Sequence, residues 1–190
     1  MAESLAVVIL AGGQSQRMGV KNKALVLFQD KPFIQHVIDQ MKLQTNNIYI
    51  NTHRNQDDFI NYKLPMIDDE FENQEGPLVG MLTCLKKMNV DWIQFVPCDT
   101  PFLPLDLINQ LKKGIKIDHA LVAVPKTEDG LQSTCCLCHS STLENLILFF
   151  NHGGRKIEDW IRQLPFSIVD FKDKKKFLNF NTEAEIYKNL

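Results

Sequence analysis

The chain lacks an excess of charge of either sign, since 21 Lys and Arg against 23 Asp and Glu leave a formal net charge of −2. A chain so balanced has no broad cationic face, which removes the electrostatic case for a general nucleic-acid binder. Long apolar runs are missing as well; the longest stop far short of the roughly 20 residues that span a bilayer as a helix. The opening MAESLAVVILAGG has no basic residue ahead of its apolar stretch and meets Gly12 early. It therefore reads as the start of a folded cytoplasmic chain and not as a secretory leader. Paired cysteine motifs are absent. Cys84, Cys98, Cys135, Cys136 and Cys138 are an odd number, and CCLC does not match the paired CxxC spacing of a zinc site, which needs two such pairs. Reduced, strand-buried thiols are expected instead. The closing GK[ST] of a Walker loop and the GxGxxG dinucleotide fingerprint are both absent. So are internal repeats and low-complexity linkers. The 190 residues fit one domain, with room for a small appendage, and bury a core without staples.

What the chain does have is alternation. Leu5 to Leu10 is continuously apolar, as a strand covered on both faces must be. After Pro32, the spacing of Phe33, Ile34, Val37, Ile38 and Met41 predicts a helix with one apolar face. Asn47–Asn51 and Leu64–Ile67 read as strands, and a helix opens at Pro77 with Leu78, Leu82 and Leu85 inward. Trp92–Asp99 is a strand stopped by Pro97 and Pro101; Pro104–Lys113 is a helix that stops before Gly114. HALVAVP, STCCLCH and FSIVDF read as strands, TLENLILFF and KIEDWIRQL as helices, and the tail from Thr182 as a further helix. KDKKK, Lys172 to Lys176, reads as a solvated turn. Strands that alternate with helices imply an α/β domain with a mostly parallel sheet.

The first strand ends in LAGGQSQRMG. Ligands of open parallel sheets bind beyond the carboxyl ends of the strands, so this loop is placed for binding. Gly12 and Gly13 let backbone amides approach an anion closely. Arg17 adds a planar donor fork and Lys23 a point charge. Read alone, a double glycine is also a tight turn with surface cations. Asp99 ends a strand inside PCDTPFLP and is suited either to a turn or to magnesium, which takes one or two protein carboxylates and completes its shell with water and phosphate. Asp68 and Asp69 end another strand, and Asn51 ends a third with an amide that donates and accepts. Each of these also suits a bland strand end, solvated or turning. His36, His53, His119, His139 and His152 are scattered, and none is given a role.

Taken together, LAGGQSQRMG followed by Asn22-Lys23, the GPLVGM stretch, PCDTPFLPLDL, HGGRKIEDWI and FLNFNT resemble, in order, the motifs of the molybdenum cofactor guanylyltransferases. The resemblance covers nearly the whole chain. It implies a single domain over residues 1–190 with a Rossmann-like three-layer nucleotidyltransferase fold, an N-terminal half for the nucleotide and a C-terminal half for the acceptor. It implies transfer of GMP from GTP to the terminal phosphate of molybdenum-molybdopterin, with pyrophosphate released. It implies that Leu10, Ala11, Gly12, Gly13, Lys23, Asn51, Asp69 and Asp99 hold GTP and that Arg17, Lys23 and Asp99 are catalytic. Asp99 would carry Mg2+, and Asn179, Asn181 and, less firmly, Arg155 would serve the acceptor. Transient contact with cofactor-delivery proteins and apo-molybdoenzymes follows from the same analogy. A relative using CTP, or a cobamide or sugar-phosphate acceptor, is the alternative; a nucleotide-sensing scaffold has no need for Arg17, Lys23, Asp69 and Asp99 together. The chain departs from the family where Asn22 replaces the usual aspartate before the lysine, Ala24 a common glycine and Glu183 a frequent proline, and where no proline precedes Thr134.

Overall fold

The computed structural model describes residues 3–12, 22–53, 56–70 and 76–180. Its strands, in chain order, are β1 (Leu5–Leu10), β2 (Leu27–Phe28), β3 (Lys31–Pro32), β4 (Ile48–Thr52), β5 (Met66–Asp68), β6 (Trp92–Pro97), β7 (Val122–Thr127), β8 (Gly130–Leu131), β9 (Leu137–His139) and β10 (Phe166–Asp170). The helices are α1 (Phe33–Lys42), α2 (Pro77–Lys87), α3 (Leu107–Asp118), α4 (Leu143–Asn151) and α5 (Ile157–Ile161).

The main sheet runs β10-β7-β9-β6-β1-β4-β5, with β8 paired to β7. β1 is parallel to both β4 and β6, and β5 is parallel to β4. β9 is antiparallel to both β6 and β7, so β7 and its parallel neighbour β10 keep the direction of the first group. The mostly parallel α/β sheet is thus as the alternation predicts. The consequence for function is geometric: β1, β4, β5 and β6 deliver their carboxyl ends to one edge.

Both faces of the sheet are covered. Val7 and Ile9 pack with Ile34, Val37, Ile38 and Met41 of α1 and Leu107, Ile108 and Leu111 of α3. Val8 and Leu10 point the other way, into Leu78, Leu82 and Leu85 of α2, Leu146 and Phe150 of α4 and Trp160 of α5. This is why β1 is apolar at every position instead of alternating. Val7, Val8 and Ile9 are wholly buried, each burial contributing about 1.5–3 kcal/mol. A third, smaller core of Phe28, Phe33 and Phe180, with Phe102 and Leu178 against it, ties the β2–β3 hairpin to the chain near residue 180. That hairpin turns through Gln29 and Asp30, at φ 49° and 62°, the left-handed pair whose twist suits a two-residue loop.

Three sequence expectations change. Gly114 does not end α3, which runs on to Asp118 and closes on His119 in the left-handed region. A Cβ at Gly114 would lie 2.6 Å from Val169 Cγ2 and 2.7 Å from Ser167 Oγ; the glycine serves the close approach of α3 to β10, not a stop. STCCLCH is only partly a strand. Ser133–Cys135 forms a 3-10 turn, in which the Cys135 amide bonds Gln132 O at 2.9 Å and the Cys135 carbonyl accepts from the buried Gln94 amide at 3.0 Å. With its polar groups used there, only Leu137–His139 joins the ladder. KIEDWIRQL yields just the helix Ile157–Ile161. All five thiols are free and buried, although Cys84 lies in α2 and Cys98 in a turn, and burial pushes the thiols of Cys84, Cys98, Cys135 and Cys138 up. The lysines of KDKKK are exposed, in and beside a 3-10 turn. The tail from Thr182 lies outside the described residues.

Candidate functional site

Two clusters form along the carboxyl edge. The first lies beneath Gly12, where the chain leaves β1. A Cβ there would stand 3.1 Å from Asp69 Oδ2, 3.4 Å from His53 Cβ and 3.6 Å from Asn51 Oδ1. The bare backbone thus comes down directly onto polar groups from the ends of β4 and β5. The Ala11 amide donates to Asn51 O at 3.0 Å, and the Asp69 amide to Thr52 O at 3.0 Å, so the sheet ladder sets this spacing. Leu10 and Ala11 are buried at the same place.

Asn51 is 2% exposed. Its Nδ2 donates to Asp69 Oδ1 at 2.7 Å and to Ile67 O at 3.2 Å. Gly80 of α2 closes on its other side; a Cβ there would fall 2.1 Å from Asn51 Oδ1. The Asp69 carboxylate is 6% exposed, with His53 Nδ1 3.7 Å from its Oδ2. Burial pushes the Asp69 carboxyl up, while the Asn51 hydrogen bond and His53 pull the other way. Asp68 turns aside, its Oδ1 accepting from Thr52 Oγ1 at 2.7 Å. A held amide and a desolvated carboxylate under a glycine form a donor and acceptor set for a planar polar ring.

The second cluster follows β6. Asp99 lies in the turn after Pro97, where the Cys98 amide donates to Leu10 O at 3.3 Å and the Phe180 amide to Asp99 O at 3.4 Å. Its side chain is 12% exposed and is paired through Oδ2 with the Lys23 ammonium, itself 16% exposed. Lys23 opens a 3-10 turn, Lys23–Leu25, capped by Asn22. The Asn22 Nδ2 in turn donates to Asp58 Oδ2 at 3.0 Å. Among the described residues, no three His, Cys, Asp or Glu side chains converge as a metal cage. One carboxylate at a strand end does fit magnesium held jointly by protein, water and phosphate, and does not fit a structural metal.

Beyond Asp99, Phe102 stands edge-on to Phe28, with ring centroids 5.5 Å apart at 84°. It lines a cavity of about 330 Å3 with Asp173, Lys175, Lys176 and Leu178. Asn179, between Leu178 and Phe180, is exposed. Arg155 is engaged at the end of α4: its Nη1 donates to Phe150 O at 2.9 Å and Gly154 O at 2.7 Å, and its guanidinium lies 4.2 Å over the Phe150 ring. Gly13, Arg17 and Asn181 lie outside the described residues. Sequence reasoning passed over His53, Gly80 and Asp58. Gly80 left a signal, a glycine inside an apolar helix; the other two left none, because their roles arise from partners 16 and 36 positions away.

Comparison with known proteins identifies the family. The MobA-like NTP transferase domain matches residues 7–167. A molybdenum cofactor guanylyltransferase of Haemophilus influenzae (strain 86-028NP) is 36% identical over 191 residues, covering 100% of both chains. One from Vibrio vulnificus (strain YJ016) is 39% identical over 180 residues, covering 94% of this chain and 91% of the other. Among solved structures, molybdopterin-guanine dinucleotide biosynthesis protein A from Archaeoglobus fulgidus superposes with a TM-score of 0.77 at 18% identity, over 96% of this chain and 95% of that one. At that identity the likeness is one of fold, and the fold is the three-layer nucleotidyltransferase arrangement.

Proposed function

The chain belongs to the molybdenum cofactor guanylyltransferases of the MobA-like NTP transferase family, and from that premise we propose how it transfers GMP from GTP to the terminal phosphate of molybdenum-molybdopterin. The observation that carries the assignment is the presence, on one edge of one sheet, of a nucleobase-type set at Gly12, Asn51 and Asp69 and a charge-handling pair at Lys23 and Asp99.

Asn51 and Asp69 hold the guanine ring beside the backbone of Leu10, Ala11, Gly12 and Gly13. The Asp69 carboxylate accepts from guanine N1–H and the neighbouring 2-amino group, a double-donor edge that cytosine, with an acceptor N3 beside its amino group, does not reproduce. Lys23 leaves Asp99 for the phosphates as the nucleotide enters, and Arg17 joins it there. Asp99, freed of that pair, would hold Mg2+, which when bound would supply charge neutralisation for the polyphosphate as negative charge shifts toward the leaving group. The acceptor's terminal phosphate oxygen forms a bond to the α-phosphorus as the bond from that phosphorus to the bridging oxygen breaks. Pyrophosphate departs, with Lys23 and Arg17 beside its new charge. No covalent enzyme intermediate is needed; the work of the protein is positioning and charge stabilisation.

The acceptor enters from the C-terminal half. The Phe102 ring offers a face for a pterin, and Lys175 and Lys176 attract its phosphate end. Asn179 and Asn181 order the same approach, and Arg155 is a more distant contributor. In this reading one domain serves both substrates, works in the cytoplasm and hands its product to delivery proteins and apo-molybdoenzymes. No helix among the described residues is long and apolar enough to cross a membrane.

One incubation tests the assignment: molybdopterin-loaded carrier, Mg2+ and either GTP or CTP, with the product weighed by mass spectrometry. The guanine dinucleotide is expected, only with GTP and only with the metal. Product from CTP alone, or from neither nucleotide, overturns the assignment; product in the presence of chelator overturns the role of Mg2+.

A further inference from the structure

We propose that Asn22 and Asp58 are a positioning pair for Lys23, and that this chain requires an uncharged donor at position 22. The proposal rests on the assignment above and deepens it. Asn22 is 7% exposed and uses both ends of its amide. Its Oδ1 accepts from the Ala24 amide at 3.1 Å, and its Nδ2 donates to Asp58 Oδ2 at 3.0 Å. The first bond caps the 3-10 turn that starts at Lys23, which the Leu25 amide closes on Asn22 O at 3.2 Å. Ala24, wholly buried, pins the turn in the core. Lys23 is thus carried on a capped, anchored turn, with its ammonium on Asp99.

The second bond links that turn to a different part of the molecule. Asp58 belongs to the 3-10 segment Gln56–Tyr62, which Phe59 anchors by complete burial. This segment lies between β4 and β5, whose ends carry Asn51 and Asp69. The Asn22 side chain therefore ties the lysine of the phosphate end to the connection between the two strands that hold the base. Asp58 is itself exposed, yet its Oδ2 accepts the hydrogen bond from the Asn22 amide.

An aspartate at this position would still cap Ala24 with one oxygen. Its other oxygen would meet Asp58 Oδ2 where a hydrogen-bond donor now stands, and two carboxylates at that spacing repel or must share a proton. Asn22 and Asp58 are complementary to each other, and an aspartate at position 22 alone is damaging here.

The test uses the full chain with GTP, Mg2+ and molybdopterin. Asn22→Asp is expected to lower kcat/KM for GTP about tenfold, mainly through kcat, the loss typical of a hydrogen bond to a charged group. Asn22→Asp with Asp58→Asn restores the donor–acceptor pair in reverse and is expected to recover activity to within about threefold of the parent. Asn22→Ala, which also removes the cap, is not rescued by Asp58→Asn. Melting temperature and active-site titration accompany each variant, because a purely structural role lowers the active fraction and leaves the kcat of the surviving enzyme unchanged. Parent-level activity in Asn22→Asp, or no gain in the double variant, overturns the proposal. Should the parent form no dinucleotide, the guanylyltransferase assignment falls, and the pair is judged on affinity for Mg·GTP: the same loss and rescue sustain it, and their absence overturns it.

Discussion

The two ends of the site are built on different principles. At the proposed base end, Asn51 is clamped between the Gly12 backbone, Gly80 and the Asp69 carboxylate, with its Nδ2 already held by Asp69 and Ile67 before any ligand arrives. At the proposed phosphate end, Lys23 and Asp99 neutralise each other in an ion pair, which in the mechanism proposed above the substrate exchanges for its own charges. Recognition gains from a rigid, desolvated set, since a wrong base leaves buried polar groups unpaired. Charge chemistry gains from groups whose native partner a metal and a phosphate can replace.

The largest expected effect breaks the phosphate end alone. Asp99→Ala is expected to reduce GMP transfer at least about 10²-fold, the scale for removing one group that stabilises transition-state charge. The variant keeps a cooperative melt, because Asp99 lies in a turn outside the ladder. Full Mg2+-dependent activity in it would remove Asp99 from the metal site.

Gly80→Ala attacks the base end from behind. The new methyl overlaps Asn51 Oδ1, so denaturation is expected to show a loss of about 1–3 kcal/mol. Titration with GTP is expected to show weaker binding, while affinity for pyrophosphate stays at the parent value. An unchanged GTP affinity would mean that Asn51 has room to move and is not held for the base.

Asp69→Asn separates stability from recognition. The carboxyl of Asp69 is raised above its ordinary value by burial, so the folded state disfavours its ionised form. For such a group the stabilising contribution is complete below the ordinary aspartate range and is lost as pH rises through the raised folded value. The isosteric amide removes that penalty. Its melting temperature is expected to exceed the parent's at neutral pH, with the gain vanishing on acidification, even as GTP binding weakens. A variant less stable than the parent at neutral pH would contradict this sign.

The smallest effect is expected at the cavity wall. Lys175→Ala with Lys176→Ala should raise KM for molybdopterin a few-fold, about 1 kcal/mol or less for exposed cations, and leave KM for GTP alone. A change in the GTP constant instead would move the cavity from acceptor to nucleotide.

Much of this architecture is legible before any coordinates. β1 is read correctly to the residue because an apolar run stopped by glycine has one physical meaning in a parallel sheet. The inward face of α1 is read correctly because Phe33, Ile34, Val37, Ile38 and Met41 recur with the helical period. Gly114 misleads because a glycine that ends a helix and a glycine that lets a helix approach a strand look alike until Ser167 and Val169 are seen beside it. The 133–135 segment misleads because alternation takes no account of the Gln94 side chain occupying its carbonyl. In the site, Asn51, Asp69 and Asp99 are visible as polar residues at strand ends, and Lys23 through its motif. The clamp of Gly80 on Asn51 and the approach of His53 to Asp69 are not.

The sequence by itself determines the layers, the strand that leads into the loop, the residue types at the strand tips and the family. These follow from local periodicity and from motifs a few residues long. Only the tertiary structure decides that Asn51 meets Asp69, that Lys23 rests on Asp99, and that Asn22 reaches Asp58. Each is a contact between groups brought together by sheet order and packing, and the free energy of a hydrogen bond or ion pair depends on where its partner and the solvent lie, which spacing along the chain does not encode.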